Sequence, residues 1–108
     1  MSNWQEIITL DAENKVRNHW KIRANDIASG GFGFLSAEPL PLDAPLIVKI
    51  CSASTVVIRY ARVRSCKRKA NDWYSIGVEF VSARTHLSDE QLAEILRVTQ
   101  APPAREAA

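Results

Sequence analysis

The chain has 108 residues, of which 46% are hydrophobic and 24% are charged, and its net charge at pH 7 is +2. This length allows one domain with one hydrophobic core. The small charge does not indicate a polyanion as partner, and the apolar runs are too short to cross a membrane. Cys51 and Cys66 lack metal-binding spacing and the first residues lack secretory-signal features, so we expect reduced thiols in a cytoplasmic protein.

The first two predicted strands are residues 4–10 and 15–24, separated by a turn at residues 11–14. In the second strand, alternation of apolar and polar residues places one face in the core and the other outside. We expect the inward face to carry Val16, Trp20, Ile22 and Ala24. The outward face then carries Arg17, His19, Lys21 and Arg23. This cationic row is either an ordinary solvated strand face or a strip that faces phosphate groups.

Three of the chain's four glycines fall within residues 25–34, a segment that we call the corner. Glycine tolerates positive φ and allows another backbone or a ligand to come close. Asp26 can accept a hydrogen bond from its own backbone and tighten the turn. We therefore predict a tight corner between two strands, rich in backbone amides. Such a corner is either a plain structural bend or a concave site for an anion.

The later strands are predicted at residues 31–36, 45–51, 55–66 and 73–81. An extended loop at residues 38–45 holds three prolines, which are excluded from helix interiors and central strands. A break in the alternation within residues 55–66 predicts a β-bulge, and residues 52–54 form a tight connection. The polar hairpin loop at residues 67–72 contains Lys67, Arg68 and Lys69. This basic loop is either an exposed connection or a phosphate contact.

The C-terminal segment changes to a helical period. Ser88 followed by Gln91 has the arrangement of a capping box, so we predict a helix over residues 89–99. Its apolar stripe consists of Leu92, Ile95 and Leu96. Residues 100–108 include two prolines and are predicted to be a disordered tail. Five or six antiparallel strands and one helix in so short a chain indicate a small barrel with the helix as a lid.

No catalytic or metal-binding pattern is present in the sequence. His19 lies on the outward face of a strand without a serine or cysteine motif nearby, and His86 precedes the helix. Neither histidine has partners at the close, paired spacing of metal ligands. The step from Gly31 to Gly33 lies within strands, which argues against a dinucleotide-binding turn. We therefore expect a protein that is not an enzyme and that has no metal or cofactor.

The chain resembles the PilZ domain family. The run from Asp26 to Gly31, DIASGG, is similar to the family's [D/N]xSxxG segment. The run from Tyr74 to Val81, YSIGVEFV, is similar to the family's closing strand. The order of the parts also matches over residues 5–98. The resemblance implies a mainly β fold, a six-stranded antiparallel β-barrel with one C-terminal α-helix, over residues 1–99.

The resemblance also implies a bacterial, cytoplasmic and non-enzymatic receptor for the second messenger cyclic di-GMP. In the family, the ligand is held by the corner and by an RxxxR segment before the first strand. Guanidinium groups there stack on guanine and bind phosphate. The ligand-binding residues implied for this chain are Asp26, Ala28, Ser29, Gly30 and Gly31. Our hypothesis adds Arg23, Lys21 and the basic loop as substitute cations.

Two departures from the family pattern bear on the nucleotide. Ala28 stands at the serine position, and Ser29 follows one place later, where a strand residue faces the opposite side. Residues 1–5 contain no arginine, so the RxxxR segment is absent there. Two functions are therefore compatible with the sequence. One is a receptor with weakened nucleotide binding, and the other is a nucleotide-independent adaptor that binds a protein partner. A barrel that binds single-stranded nucleic acid is the third alternative, and the inward parity of Trp20 and the phenylalanines argues against it.

Overall fold

The structure is a computed structural model that describes residues 4–51, 55–82 and 87–100. The predicted connection at residues 52–54, His86 and the tail from residue 101 onward lie outside the described residues. The strands are β1 (Trp4–Leu10), β2 (Val16–Arg23), β3 (Asn25–Ala28), β4 (Gly31–Ser36), β5 (Pro45–Cys51), β6 (Val56–Arg68) and β7 (Tyr74–Val81). A 3-10 turn at Ala70–Asp72 joins β6 to β7, and the helix α1 spans Asp89–Val98.

The described strands form one antiparallel sheet in the order β2-β1-β5-β6-β7-β4-β3. The sheet curls, so that β2 comes near β4. The predicted fold class is confirmed, because the chain is mainly β with a curled antiparallel sheet and one C-terminal helix. The strand count is seven rather than six because Asn25–Ala28, predicted as part of the corner, pairs with β4 as a short edge strand.

The sheet buries apolar side chains on both of its faces. The inner face encloses a core cluster that includes Ile7, Trp20, Phe34, Val48, Val63 and Ile76. The outer face carries a second cluster against α1, formed by Ile8, Leu10, Ile47 and Ile95. Ile7 and Ile8 are therefore both fully buried although they are adjacent. This explains why β1 reads as a poorly alternating apolar run, as strands covered on both faces do.

A β-bulge in β2 corrects one predicted side chain. The register shifts so that Thr9 pairs with Asn18 but Leu10 pairs with Val16, which leaves Arg17 as the extra residue. Side chains before and after such a residue point to different faces of the sheet. Val16 therefore packs on the outer cluster, and its predicted place on the inner face was wrong. The predicted inward face is confirmed for Trp20, Ile22 and Ala24.

The helix α1 begins at the predicted capping box. The Ser88 N–H donates to Gln91 Oε1 at 2.9 Å, and the Gln91 N–H donates to Ser88 Oγ at 3.1 Å. The helix ends one residue earlier than predicted, with Thr99 as its C-cap. The Lys49 ammonium donates to the Thr99 carbonyl at 2.7 Å. This bond joins the end of α1 to β5 and places the helix over the outer face of the sheet.

Candidate functional site

The corner is a hairpin between β3 and β4. Ser29 and Gly30 form its turn, and β4 begins at Gly31. Asn25 pairs with Gly33 and Ala28 pairs with Gly31, so β3 holds one more residue than β4 between these pairs. The predicted tight corner between two strands is therefore present, and it contains a bulge. Its turn is exposed to solvent.

Gly31 is required by a close approach of β4 to β7. A Cβ at residue 31 would overlap the carbonyl oxygen of Val78. No described glycine has a positive φ, so close approach of another backbone, and not a left-handed conformation, is the reason for glycine at residue 31. The Phe80 N–H donates to the Gly30 carbonyl at 2.8 Å, which extends the contact with β7 into the turn.

The predicted ligand-binding residues surround this turn. Ala28, Ser29 and Gly30 are exposed, and Gly31 is partly exposed. The backbone of Asp26 belongs to β3, and its side chain is outside the described part of the structure. Ser29 lies in the turn rather than in a strand, so strand alternation does not set the direction of its hydroxyl.

Three glycines lie close together on β4 and β7, and the Ser65 hydroxyl of β6 lies 2.6 Å from the place that a Cβ of Gly77 would take. Gly33 pairs with Gly77, and Gly31 pairs with Glu79 in the same ladder. The residues between them point into the inner core, so Gly33 and Gly77 face outward, whereas the Cβ direction of Gly31 runs toward the backbone of β7. Gly31, Gly33 and Gly77 are each partly exposed. We call Gly31, Gly33 and Gly77 the glycine patch. At Gly33, where a Cβ would meet nothing closer than 3.4 Å, the bare backbone allows a flat ligand to approach closely.

Two arginines border the glycine patch. The register of β6 on β7 shifts between Val63 and Ser65, which makes Arg64 the extra residue of the predicted bulge. Arg64 Nε lies 2.8 Å from Glu79 Oε2, and Arg62 Nη2 lies 3.4 Å from Glu79 Oε1. The side chain of Arg62 is 44% exposed, and that of Arg64 is 52% exposed. A guanidinium has five N–H donors, so one shared carboxylate leaves donors for a ligand.

The family model for the PilZ domain matches residues 6–98, which is most of the chain. The chain belongs to the PilZ domain family. The resemblance seen in the DIASGG and YSIGVEFV runs is thereby confirmed. Members of this family are binding or adaptor modules. No curated protein matches the chain significantly. Among residues 4–51, 55–82 and 87–100, no helix has the length and apolarity needed to cross a membrane.

Arg59 lies on the other face of β6 in this PilZ domain. Its guanidinium carbon is 3.8 Å from the centroid of the Phe80 ring, and Phe80 contacts Phe32 with ring centroids 5.7 Å apart. This cation–π contact stabilises the inner core. Arg59 is therefore turned toward the inside of the sheet, away from the glycine patch.

The predicted start of the basic loop at residue 67 is wrong, because β6 extends to Arg68 and only Lys69 of its three cations lies outside a strand. These three residues lie at the other end of the PilZ sheet from the corner. Arg68 pairs with Tyr74, and Tyr74 pairs with Ser36 at the end of β4. Ser36 follows Gly31 by five residues, which is about 17 Å along a strand. Arg68 also pairs with Asp72 at 2.5 Å. This geometry does not favour the hypothesis that Lys67, Arg68 and Lys69 supply cations to the corner.

The outward row of β2 is divided between two environments. His19 Nε2 lies 2.6 Å from Glu6 Oε1, and both side chains are largely buried. Lys49 Nζ lies 3.9 Å from the same oxygen, so these residues join β1, β2 and β5 near the end of α1. Lys21 and Arg23 are exposed. Only Ala24 separates Arg23 from the corner, so Arg23 is the residue of this row that lies nearest to the corner along the chain.

Sequence reasoning missed Arg62, Arg64 and the Gly77–Glu79 part of the site. From the sequence, alternation places the two arginines only on one face of a long strand. The predicted bulge and the glycine within YSIGVEFV were the available signals. Their meaning depends on the pairing of β6 with β7, which brings Arg62 opposite Glu79. In the part of the chain that the structure describes, no three histidine, cysteine or carboxylate side chains are grouped as metal ligands.

Proposed function

We propose that this PilZ domain is a receptor for cyclic di-GMP in bacterial second-messenger signalling and that it catalyses no reaction. The ligand binds at the corner and across the glycine patch. The observation that carries the proposal is the position of Arg62 and Arg64 beside the glycine patch, where the backbone of Gly33 is open. Family membership supports the choice of ligand class.

The chemistry of the ligand matches the two parts of this surface. Cyclic di-GMP has two phosphodiesters and two planar guanine bases. A base can lie flat on the backbone of Gly33, and an arginine offers a fork to phosphate or a plane to a base. Backbone N–H groups of the turn can add an anion-binding concavity. Arg62 is two strands from Gly31, about 10 Å, so one dinucleotide can contact both.

The proposed ligand-binding set combines residues expected from the sequence with residues that the structure adds. The first group consists of Asp26, Ala28, Ser29, Gly30, Gly31, Arg23 and Lys21. The second group consists of Gly33, Gly77, Arg62 and Arg64. Ala28 provides no hydroxyl at the serine position of the family pattern, and the exposed hydroxyl of neighbouring Ser29 is proposed to replace it.

Glu79 favours a second candidate function, a nucleotide-independent adaptor. Its carboxylate pairs with both Arg62 and Arg64, so a phosphate must compete with a charge that the protein already provides. This competition weakens anion binding at the patch. In the adaptor, the same fold acts through contacts with another protein.

Binding of single-stranded nucleic acid has less support. Trp20, Phe32 and Phe34 are each at most 4% exposed. These rings therefore cannot serve as the stacking platforms that such proteins use. A steep fall of oligonucleotide affinity with salt would contradict this conclusion.

The test is calorimetric titration with cyclic di-GMP at moderate salt. We expect binding to the unchanged protein and its loss in Asp26→Ala and Gly33→Val. A Cβ at residue 33 fits in the fold, because it would lie 3.4 Å from the Ile76 carbonyl oxygen. Leu42→Ala is the control, since Leu42 is 64% exposed and lies outside the proposed ligand-binding set.

Each outcome separates the alternatives. Absence of binding to the unchanged protein at high ligand concentration would reject the receptor and leave the adaptor. Binding that survives in Gly33→Val would place the nucleotide away from the glycine patch. Circular dichroism of each variant confirms that the fold is intact before its affinity is compared.

A further inference from the structure

A groove of about 540 Å³ separates the β1–β2 turn from α1. This volume is within the range of about 300–1,000 Å³ that is usual for binding sites. The groove is lined by Glu13, Asn14, Lys15, Val16, Glu90, Gln91, Glu94, Ile95 and Val98. It lies beside the start of β2, whereas the corner follows the end of that strand. Val16 and Arg23 are about 23 Å apart along β2, so the groove and the glycine patch are separate surfaces.

The inner part of the groove is apolar. Val16 and Ile95 belong to the outer cluster of the sheet, and Ile95 is almost fully buried. Val98, in the last turn of α1, is 48% exposed. An apolar side chain from a partner can therefore cover Val98 and contact residues that are already part of the core.

The rim of the groove is anionic although the chain as a whole carries +2. Glu13, Glu90 and Glu94 provide three carboxylates against two cations, Lys15 on the rim and Arg97, which pairs with Glu94. Glu13 and Lys15 are 3.8 Å apart and both are well exposed, so this pair is weak. The Arg97 guanidinium beside Glu94 lowers the pKa of that carboxyl group, which keeps it charged at neutral pH.

Both walls of the groove are held by local hydrogen bonds. Asp11 Oδ1 accepts from the N–H groups of Glu13 at 2.8 Å and Lys15 at 3.0 Å. Asn14 in this turn has a φ of 62°, and its N–H donates to the Asp11 carbonyl. The opposite wall begins at the capping box of α1. A preformed groove saves a partner the entropy cost of ordering it.

We propose that this groove docks a segment of a partner protein that presents an aliphatic side chain flanked by lysine or arginine. The aliphatic group contacts Val98, Ile95 and Val16. The basic groups meet the carboxylates of Glu13, Glu90 and Glu94. This mode corresponds to an amphipathic segment that lays its apolar face into a groove. Because the surface is separate from the glycine patch, it does not depend on nucleotide binding.

The test uses two synthetic amphipathic helical peptides with a leucine face. One has lysines on its polar face, and the other has glutamates in their place. NMR of the isotope-labelled chain records the amide shifts that each peptide causes, and titration gives the affinity. We expect the lysine peptide to bind and to shift amides at residues 13–16 and 90–98. The glutamate peptide should not bind.

Variants at the two parts of the groove locate the site. Glu13→Lys reverses a rim charge at an exposed turn. Val98→Lys replaces the exposed apolar residue with a cation that suits the last turn of a helix. We expect each to weaken the lysine peptide about tenfold. Leu42→Lys is the control, since Leu42 is an apolar residue that is 64% exposed outside the groove, and it should leave the affinity unchanged.

Four results would overturn the proposal. Equal binding of the two peptides would remove the role of charge, and shifts confined to other surfaces would remove the groove. Binding that requires removal of the residues after Gln100 would assign the groove to the chain's own C-terminal segment rather than to a partner. Unchanged affinity of the lysine peptide in Glu13→Lys and Val98→Lys would also show that the peptide does not bind in the groove.

Discussion

Gly31 in β4 lies so close to Val78 in β7 that a Cβ at residue 31 would overlap the Val78 carbonyl oxygen. Gly31→Ala therefore forces the two strands apart, and we expect it to lower the free energy of unfolding by about 2 kcal/mol. Gly30→Ala should change it by less than about 0.5 kcal/mol, because that position has free space. Urea unfolding followed by circular dichroism measures both. Equal midpoints for the two variants would contradict the close approach.

Glu79 limits the affinity of the proposed nucleotide site because it neutralises Arg62 and Arg64. Glu79→Gln removes the charge and keeps the shape of the side chain. We expect cyclic di-GMP affinity to rise about two- to fivefold, the range of an exposed ion pair. Titration calorimetry measures the change. Glu94→Gln is the matched control, since Glu94 pairs with Arg97 on α1; a rise there as well would mean that overall charge, not the patch, sets the affinity.

Asp11 should make the stability of the β1–β2 turn depend on pH. The backbone N–H groups of Lys15 and Glu13 hold the pKa of Asp11 below its ordinary value of 3.8. The folded state therefore favours the carboxylate, so its contribution is present above the unfolded pKa and is lost as pH falls through the lower folded pKa. Asp11→Asn keeps an oxygen acceptor without titration. Urea unfolding at neutral and strongly acidic pH should show a smaller stability difference between the two proteins in acid.

Lys49 anchors the C-terminal end of α1 to the sheet. Its ammonium donates to the Thr99 carbonyl at 2.7 Å and is largely buried near Glu6. Lys49→Met keeps the length of the side chain but removes the donor, and we expect a loss of about 1–3 kcal/mol. Faster hydrogen exchange at residues 95–99 should accompany it. Lys15→Met, at a well-exposed lysine, is the control, and exchange that stays unchanged in Lys49→Met would show that the helix does not need this bond.

Local features of this chain could be predicted from the sequence. The strand Trp4–Leu10, the strand Pro45–Cys51 and the start of α1 at Asp89 all agree with the predicted boundaries. Strand faces follow from alternation, and the helix start follows from Ser88 and Gln91. These signals involve residues close together in the chain, so their physics is complete without the rest of the fold.

Pairing between strands decided what the sequence alone could not. The bulge at Arg17 moved Val16 to the outer face, and Asn25–Ala28 became a seventh strand because it pairs with β4. The proximity of Arg62 and Arg64 to Glu79 also depends on the register of β6 with β7. Alternation indicates that two residues share a face of a strand, but only cross-strand register determines their neighbours. The sequence by itself therefore determined the elements and the family resemblance, whereas the tertiary structure assembled the glycine patch and the groove.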